Sequence, residues 1–316
     1  MSSRVSAVVA TYAGETFIAE QLRSILDQER PVDEIIVSDD GSDDQTVAIV
    51  RDVLAGSTAD VQILTGRTAG GVTTNLDRAF DHVTGDVVVL ADQDDRWRPA
   101  KVRRLLEALD DGYALAFSDA ELIDDRGQAS GSRLWRSYGF TGRAVARAER
   151  GDLLPQLLRW NVVTGACAAV RTDVLRHARP LPAAGVHDWT IALVATVLGG
   201  GVAVAEPLVD YRIHDRNQVG VPATAAADLV RARVGDDRIR AVEHDQLAAV
   251  LERLGPVADE DALAPLRARL ALTRFRRDLP DGRTARLAPV AGRLARGQYH
   301  RYAHGLRSAG RDVVGR

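Results

Sequence analysis

Asp86-Val87-Val88-Val89-Leu90-Ala91-Asp92-Gln93-Asp94-Asp95-Arg96-Trp97-Arg98-Pro99 reads as a strand, an acidic turn and the start of a helix. Val87 to Leu90 is apolar without alternation, the pattern of a strand covered on both faces in a parallel sheet. Asp92, Asp94 and Asp95 then crowd together, and carboxylates this close repel unless something positive lies among them. Pro99 suits the first turn of a helix, where a missing N–H costs nothing. Open α/β sheets present ligands at the carboxyl ends of their strands. An Asp-x-Asp there offers hard oxygens to Mg²⁺ or Mn²⁺ and leaves positions for phosphate. It also reads as a plain solvated turn, so the flanking sequence has to decide.

Upstream, Val5–Ala10 predicts a first strand and Glu15–Leu26 a helix, with Phe17, Ile18, Leu22, Ile25 and Leu26 at helical spacing. Ile35–Val37 predicts a second strand, ending in Ser38-Asp39-Asp40-Gly41-Ser42-Asp43. Ser42 and Gln45 fit a capping box for the next helix. A third strand (Val61–Leu64) and a helix (Thr73–Val83) complete a β-α-β-α-β-α-β alternation, which predicts a parallel sheet with helices on both faces. Two strands then end in carboxylate clusters on one edge, Asp39/Asp40 and Asp92/Asp94. The first can accept a hydrogen bond from a pyrimidine N–H, or cap a turn. The second can hold a metal that grips a diphosphate.

Downstream, Tyr113–Phe117 predicts a strand leading to Ser118-Asp119. The polar, aperiodic stretch Gln128–Arg150 predicts a mobile connection of the kind that serves as a lid. Leu153–Trp160 reads as helix and Val162–Val170 as a strand interrupted at Thr164-Gly165. His187-Asp188-Trp189 opens an apolar helix through Leu198, where Asp188 reads as an N-cap or as a base whose charged form the helix dipole favours. Val202–Val204 and Val209–Ile213 predict strands, with His214 after them. Trp97 and Trp189 read as core or as a wall on which a sugar stacks. Arg67 reads as a turn residue or a phosphate partner.

The totals exclude several classes. With 316 residues the chain can bury a large core, and its net charge of −3 carries no nucleic-acid-type basic excess. The lone cysteine, Cys167, allows no internal disulfide and fits a reducing compartment. The start of the chain has no signal-peptide pattern. Trp189–Ala205 is uncharged but broken by Gly199-Gly200-Gly201 and short of a membrane span, so it predicts a buried helix and a strand. Beyond Val221, Ala, Arg and Leu dominate in helical periods. This basic region is a solvated face, or a surface that can lie on anionic lipid.

Val9-Ala10-Thr11-Tyr12, Ile36-Val37-Ser38-Asp39-Asp40-Gly41-Ser42-x-Asp44 and Leu90-Ala91-Asp92-Gln93-Asp94-Asp95-x-Trp97 resemble the nucleotide-sugar half of family 2 glycosyltransferases. His187-Asp188-Trp189 and Tyr211-Arg212-x-His214-x-x-Asn217-Gln218-Val219-Gly220 resemble the acceptor half, close to the rhamnosyltransferase-like branch. The resemblance is collinear over about residues 4–220. It implies a GT-A fold, a mostly parallel doubly wound sheet, in residues 1–220. About 1–115 would form the nucleotide-sugar half and 116–220 the acceptor half; the change of composition beyond Val221, not the resemblance, predicts a helical C-terminal appendage over 221–316. It implies inverting transfer from a dTDP- or UDP-sugar, with dTDP-rhamnose the specific expectation, to a glycan or lipid-linked acceptor. By position, Thr11, Tyr12 and Asp40 (or Asp39) meet the nucleotide, and Asp92 lies near ribose and metal. Asp94 is the principal ligand of Mg²⁺ or Mn²⁺, His214 reaches the metal or diphosphate, and Asp188 is the general base. The family usually has Asn where this chain has Ala13. The lone cysteine and the absent signal pattern predict a cytoplasmic setting; the arginine-rich tail reads as a solvated face or as a peripheral contact with the inner face of the membrane, and a homo-oligomer is allowed. Two other readings are a non-catalytic nucleotide-sugar-binding protein and a sugar nucleotidyltransferase. The second needs basic residues soon after the first strand, and Thr11–Gln21 has none.

Overall fold

The computed structural model describes residues 3–66, 71–182, 185–214 and 237–315, and the backbone alone for 237–241. Arg67, Asn217-Gln218-Val219-Gly220 and the start of the region beyond Val221 lie outside the described residues. The first half alternates as expected: β1 (Val5–Thr11), α1 (Ile18–Leu26), β2 (Glu34–Asp39), α2 (Thr46–Leu54), β3 (Asp60–Thr65), α3 (Gly71–Phe80) and β4 (Val87–Asp92). A short β5 (Arg96–Trp97) and α4 (Lys101–Asp110) follow the acidic turn. Then come β6 (Leu115–Ile123), β7 (Ala129–Arg133), α5 (Leu134–Ser137), α6 (Arg143–Ala148) and α7 (Leu154–Leu157). A 3₁₀ turn (Gly165–Cys167), β8 (Ala168–Arg171), α8 (Thr172–Ala178), α9 (His187–Gly199) and β9 (Gly201–Arg212) complete the α/β part.

Among the described residues the strands form one sheet, ordered β3-β2-β1-β4-β8-β6-β9-β5, with β7 on β6. β3, β2, β1 and β4 are mutually parallel, and β6 is parallel to β9. β8 runs antiparallel between β4 and β6, and β5 antiparallel to β9, so the second half is mixed. The period-2 pleat sends Val8, Ile36, Val88 and Leu90 into one core and Val9, Ile35, Val87 and Val89 into the other, which is why these strands carry no polar face.

Three local expectations are corrected. Helix α2 begins at Thr46 with no Ser42/Gln45 capping box; Asp44 Oδ1 accepts the Thr46 amide at 2.9 Å instead. The two predicted strands after Gly200 are one, β9, whose register against β6 shifts around Asp119. The stretch 128–150 forms β7, α5 and α6 rather than an irregular connection, with β7 exposed along its length and buried anchors beyond it. Leu134, Trp135 and Phe140 are buried, Trp135 and Phe140 cluster with Phe117, and Asp119 Oδ1 accepts the Trp135 amide at 2.9 Å. Hydrophobic periodicity misses this segment because its anchors are three scattered side chains.

The C-terminal helices run Asp237–Leu254, Glu260–Arg277, Arg283–Ala295, Gln298–Tyr302 and Leu306–Val314. Leu247, Val250, Leu254, Leu263 and Leu266 of the first two share the core of α9. The last three pack with Leu272 around Val290, Tyr299, Ala303 and Ala309, beside a buried Arg276–Asp312 pair at 2.7 Å. Among the described residues no helix is long and apolar enough to cross a membrane.

Candidate functional site

The parallel register sets Ala10 beside Asp92 and Thr11 beside Asp39, so the ends of β1, β2 and β4 meet on one edge of the sheet. Gln93 clasps the turn after β1. Its Oε1 accepts the Thr11 hydroxyl at 2.6 Å and the Tyr12 amide at 2.8 Å, and its Nε2 donates to the Tyr12 carbonyl at 3.0 Å. Thr11 is buried with its proton on Gln93, while the Tyr12 ring is 45% exposed. Ala13 holds φ +49°, the left-handed region that Asn adopts more readily than Ala, a backbone reason for the Asn usual at this position.

Asp39 and Asp40 divide their work. Asp39 is buried and turns inward: its Oδ1 accepts the Gly41 and Ser42 amides at 3.1 and 2.9 Å, and its Oδ2 the Ser42 hydroxyl at 2.5 Å. These three bonds brace the turn after β2. Asp40 is half-buried, its amide tied to the Thr11 carbonyl at 2.9 Å.

At the end of β4, Asp94 Oδ2 lies 2.9 Å from His214 Nε2, which brings together two residues 120 positions apart. The His214 ring stacks on Phe17 with centroids 5.2 Å apart. Arg212, 1% exposed, stands over the same ring and braces the turn: Nε donates to the Asp94 carbonyl at 2.8 Å and Nη2 to Glu20 at 2.6 Å. Its Nη1 reaches the carbonyls of Asp124 and Asp125, and its amide donates to Asp95 Oδ1 at 2.9 Å. Arg212 stood in a quoted motif without a role; its burial depends on contacts that no local pattern encodes.

Helix α9 delivers the second wall. His187 Nε2 lies 2.5 Å from Asp188 Oδ1. The backbone of Gly165 passes so close that a Cβ there would lie 2.7 Å from the same oxygen. A side chain at this position would displace the Asp188 carboxylate, and nothing in the spacing of Thr164-Gly165 announces the approach. The two walls feel each other. Burial first, then the charges of Asp94 and Asp188, push the Asp92 carboxyl up to about 7. Burial lowers His187, but the Asp188 carboxylate, their hydrogen bond and Asp92 outweigh it and hold the ring above its ordinary value. Burial also keeps Asp95 well above the usual carboxylate range, with Asp94 and Asp92 adding to it. Trp97 and Trp189 are buried, and Trp189 Nε1 donates to the Leu157 carbonyl at 2.9 Å, so both are core and neither is a sugar platform.

Among the described residues no three His, Cys, Asp or Glu side chains close around one point. Asp94 and His214 together, with Asp92 crowded by negative charge beside them, nevertheless fit an open divalent-cation site that a diphosphate completes. Such a cation would oppose the burial and the repulsion that raise the Asp92 carboxyl.

A family model described as Glycosyl transferase family 2 matches residues 6–178, more than half of the chain. The dTDP-rhamnosyl transferase RfbG of Shigella flexneri is 33% identical over 239 residues, covering 71% of this chain and 77% of RfbG. A GalNAc(5)-diNAcBac-PP-undecaprenol beta-1,3-glucosyltransferase of Campylobacter jejuni is 28% identical, and the match spans only 41% of its length. Among solved structures, S. aureus TarS 1-349 superposes with a TM-score of 0.57 at 15% identity, covering 98% of this chain and 88% of that one. The mannosyltransferase PcManGT of Pyrobaculum calidifontis, in complex with GDP-Man and Mn²⁺, gives 0.54 at 20% identity over 99% and 87%. These likenesses establish a GT-A-like fold.

Proposed function

The chain belongs to glycosyl transferase family 2, a glycosyltransferase using nucleotide sugars, and we propose that it is an inverting, metal-dependent enzyme that transfers rhamnose from dTDP-rhamnose. The acceptor is a hydroxyl of a cell-surface glycan or lipid-linked precursor. The observation that carries this reading is the Asp94–His214 pair, 2.9 Å apart at the end of β4, with the charge of Asp188 reaching the neighbouring Asp92 from α9. The likeness to RfbG supports the sugar, and PcManGT, solved in complex with GDP-Man and Mn²⁺, supports the cation.

In this reading Asp40, with Tyr12 beside it, faces the nucleotide, and Thr11 shapes that turn through Gln93. Asp92, Asp94 and His214 would hold Mg²⁺ or Mn²⁺, which would supply positive charge against the negative charge building on the departing diphosphate. Asp188 accepts the acceptor's hydroxyl proton as its oxygen bonds to the anomeric carbon, while the carbon–phosphate-oxygen bond breaks on the opposite face. One displacement inverts the centre. His187, 2.5 Å away, orients the Asp188 carboxylate. Residues 1–220 carry this chemistry, with 221–316 as the helical appendage. The enzyme works in the cytoplasm, at the inner face of the membrane through its arginine-rich tail.

A thermal-shift panel of dTDP-, UDP- and GDP-sugars, with and without Mn²⁺, ranks the donors, since ligand binding to the folded state raises the melting point. With the best donor, Asp94→Asn abolishes metal-stimulated sugar release. Asp188→Asn keeps donor binding and loses about 10²–10⁴ in turnover. Full turnover by Asp188→Asn removes the base assignment. Donor binding with neither transfer nor sugar release identifies a non-catalytic binder instead.

A further inference from the structure

Lys101 is the chain's only lysine, and it is fully buried on the first turn of α4. An uncharged side chain of similar length would fill that space with no ammonium to desolvate. The ammonium is held on three sides. Nζ donates to the Ala166 carbonyl at 2.6 Å and the Leu90 carbonyl at 3.2 Å, and it lies 3.7 Å from the centre of the Trp97 ring. Burial pushes the Lys101 amine down to about 7, against the opposing charges of Cys167, Asp95 and Asp92.

The two carbonyls mark a fork in the sheet. β4 and β8 pair antiparallel from Val87↔Arg171 to Val89↔Ala169, and the ladder stops there. Beyond it, β4 continues through Leu90 to Asp92, while the other arm bends into the 3₁₀ turn Gly165–Cys167. One arm therefore carries the donor-side carboxylates, and the other carries Gly165, against which Asp188 is seated. Lys101 is bonded to both arms just past the last rung of the ladder, at carbonyls that diverging strands no longer pair with each other.

We propose that Lys101 is a positioning residue: its ammonium fixes the distance between the carboxylate turn that takes the sugar diphosphate and the loop that seats Asp188. The proposal deepens the glycosyl-transfer reading and rests on it. Transfer requires donor carbon and acceptor oxygen at reacting distance, and a misplacement of about 1 Å costs about 10²-fold in rate.

Because the chain has one lysine, ¹⁵N-lysine labelling yields a single side-chain ammonium resonance, an internal probe of the fork. Mg²⁺ with UDP or dTDP should shift that resonance, and so should Asp94→Asn and Asp188→Asn in the ligand-free protein. Lys101→Met should melt cooperatively, bind the same nucleotide within about threefold of wild type, and lose about 10²-fold in turnover. A merely structural lysine would lower the melting temperature and leave turnover per folded molecule unchanged, which overturns the proposal. So does a resonance that ignores the nucleotide and both Asp variants. If Lys101→Met does not fold, the wild-type resonance decides alone. If wild type turns over no donor, the transfer reading fails, while the responses to Asp94→Asn and Asp188→Asn still test the crosspiece.

Discussion

Asp92 is the residue whose protonation is most exposed to test. Burial, then Asp94, then Asp188, raise it to about 7, with the charges of His187 and Lys101 pulling the other way. Below about pH 7 the proton stays on Asp92 and competes with a cation; above it the carboxylate is open. Affinity for UDP or dTDP with Mg²⁺ should therefore climb between pH 6 and 7, by up to about tenfold per unit, and level off above. Asp92→Asn should flatten the curve. Titration calorimetry across that range checks this, and a flat wild-type profile would sink it. The neighbouring pair differs in another way: Asp39 and Asp40 look equivalent in sequence, yet Asp39 is buried and braces its own turn through three bonds from Gly41 and Ser42, while Asp40 is half-buried.

Among the elements, β4 and α9 were legible because their composition is uniform: a strand covered on both faces and a helix apolar nearly all round leave a continuous apolar run. The stretch 128–150 was not, because a few large side chains anchor an otherwise polar segment. Phe140, 1% exposed and 5.0 Å from the Trp135 ring, is one such anchor. Phe140→Ala should cost about 3–5 kcal/mol, read as a shift of the urea midpoint. A mobile lid would lose no more than about 0.5 kcal/mol, as exposed sites do.

At the scale of the whole chain, the C-terminal helices are tied to the reaction end of the molecule. Gln246 Nε2 donates to the Val186 carbonyl at 2.6 Å and to the Thr190 hydroxyl at 2.8 Å, bracketing His187 and Asp188. Leu247, Val250, Leu254, Leu263 and Leu266 are buried in the core that α9 shares. At about 1.5–3 kcal/mol for each buried side chain, these five approach the net stability of a domain. A chain ended at residue 220 should show no cooperative melt by circular dichroism; a sharp transition near that of the full chain would refute the dependence.

The order of elements, the burial of β1, β2 and β4 and the acidic edge they create follow from apolar runs, turn residues and parallel connectivity, all of which are local or obey strict handedness. The residues that would meet nucleotide, metal and acceptor could be nominated from motif and resemblance. Which of Asp39 and Asp40 turns inward, the closeness of Gly165 to Asp188, the brace of Arg212 and the burial of Lys101 at the fork are set by packing between segments far apart in the chain. A side chain's free energy there depends on neighbours that its own stretch of sequence does not contain.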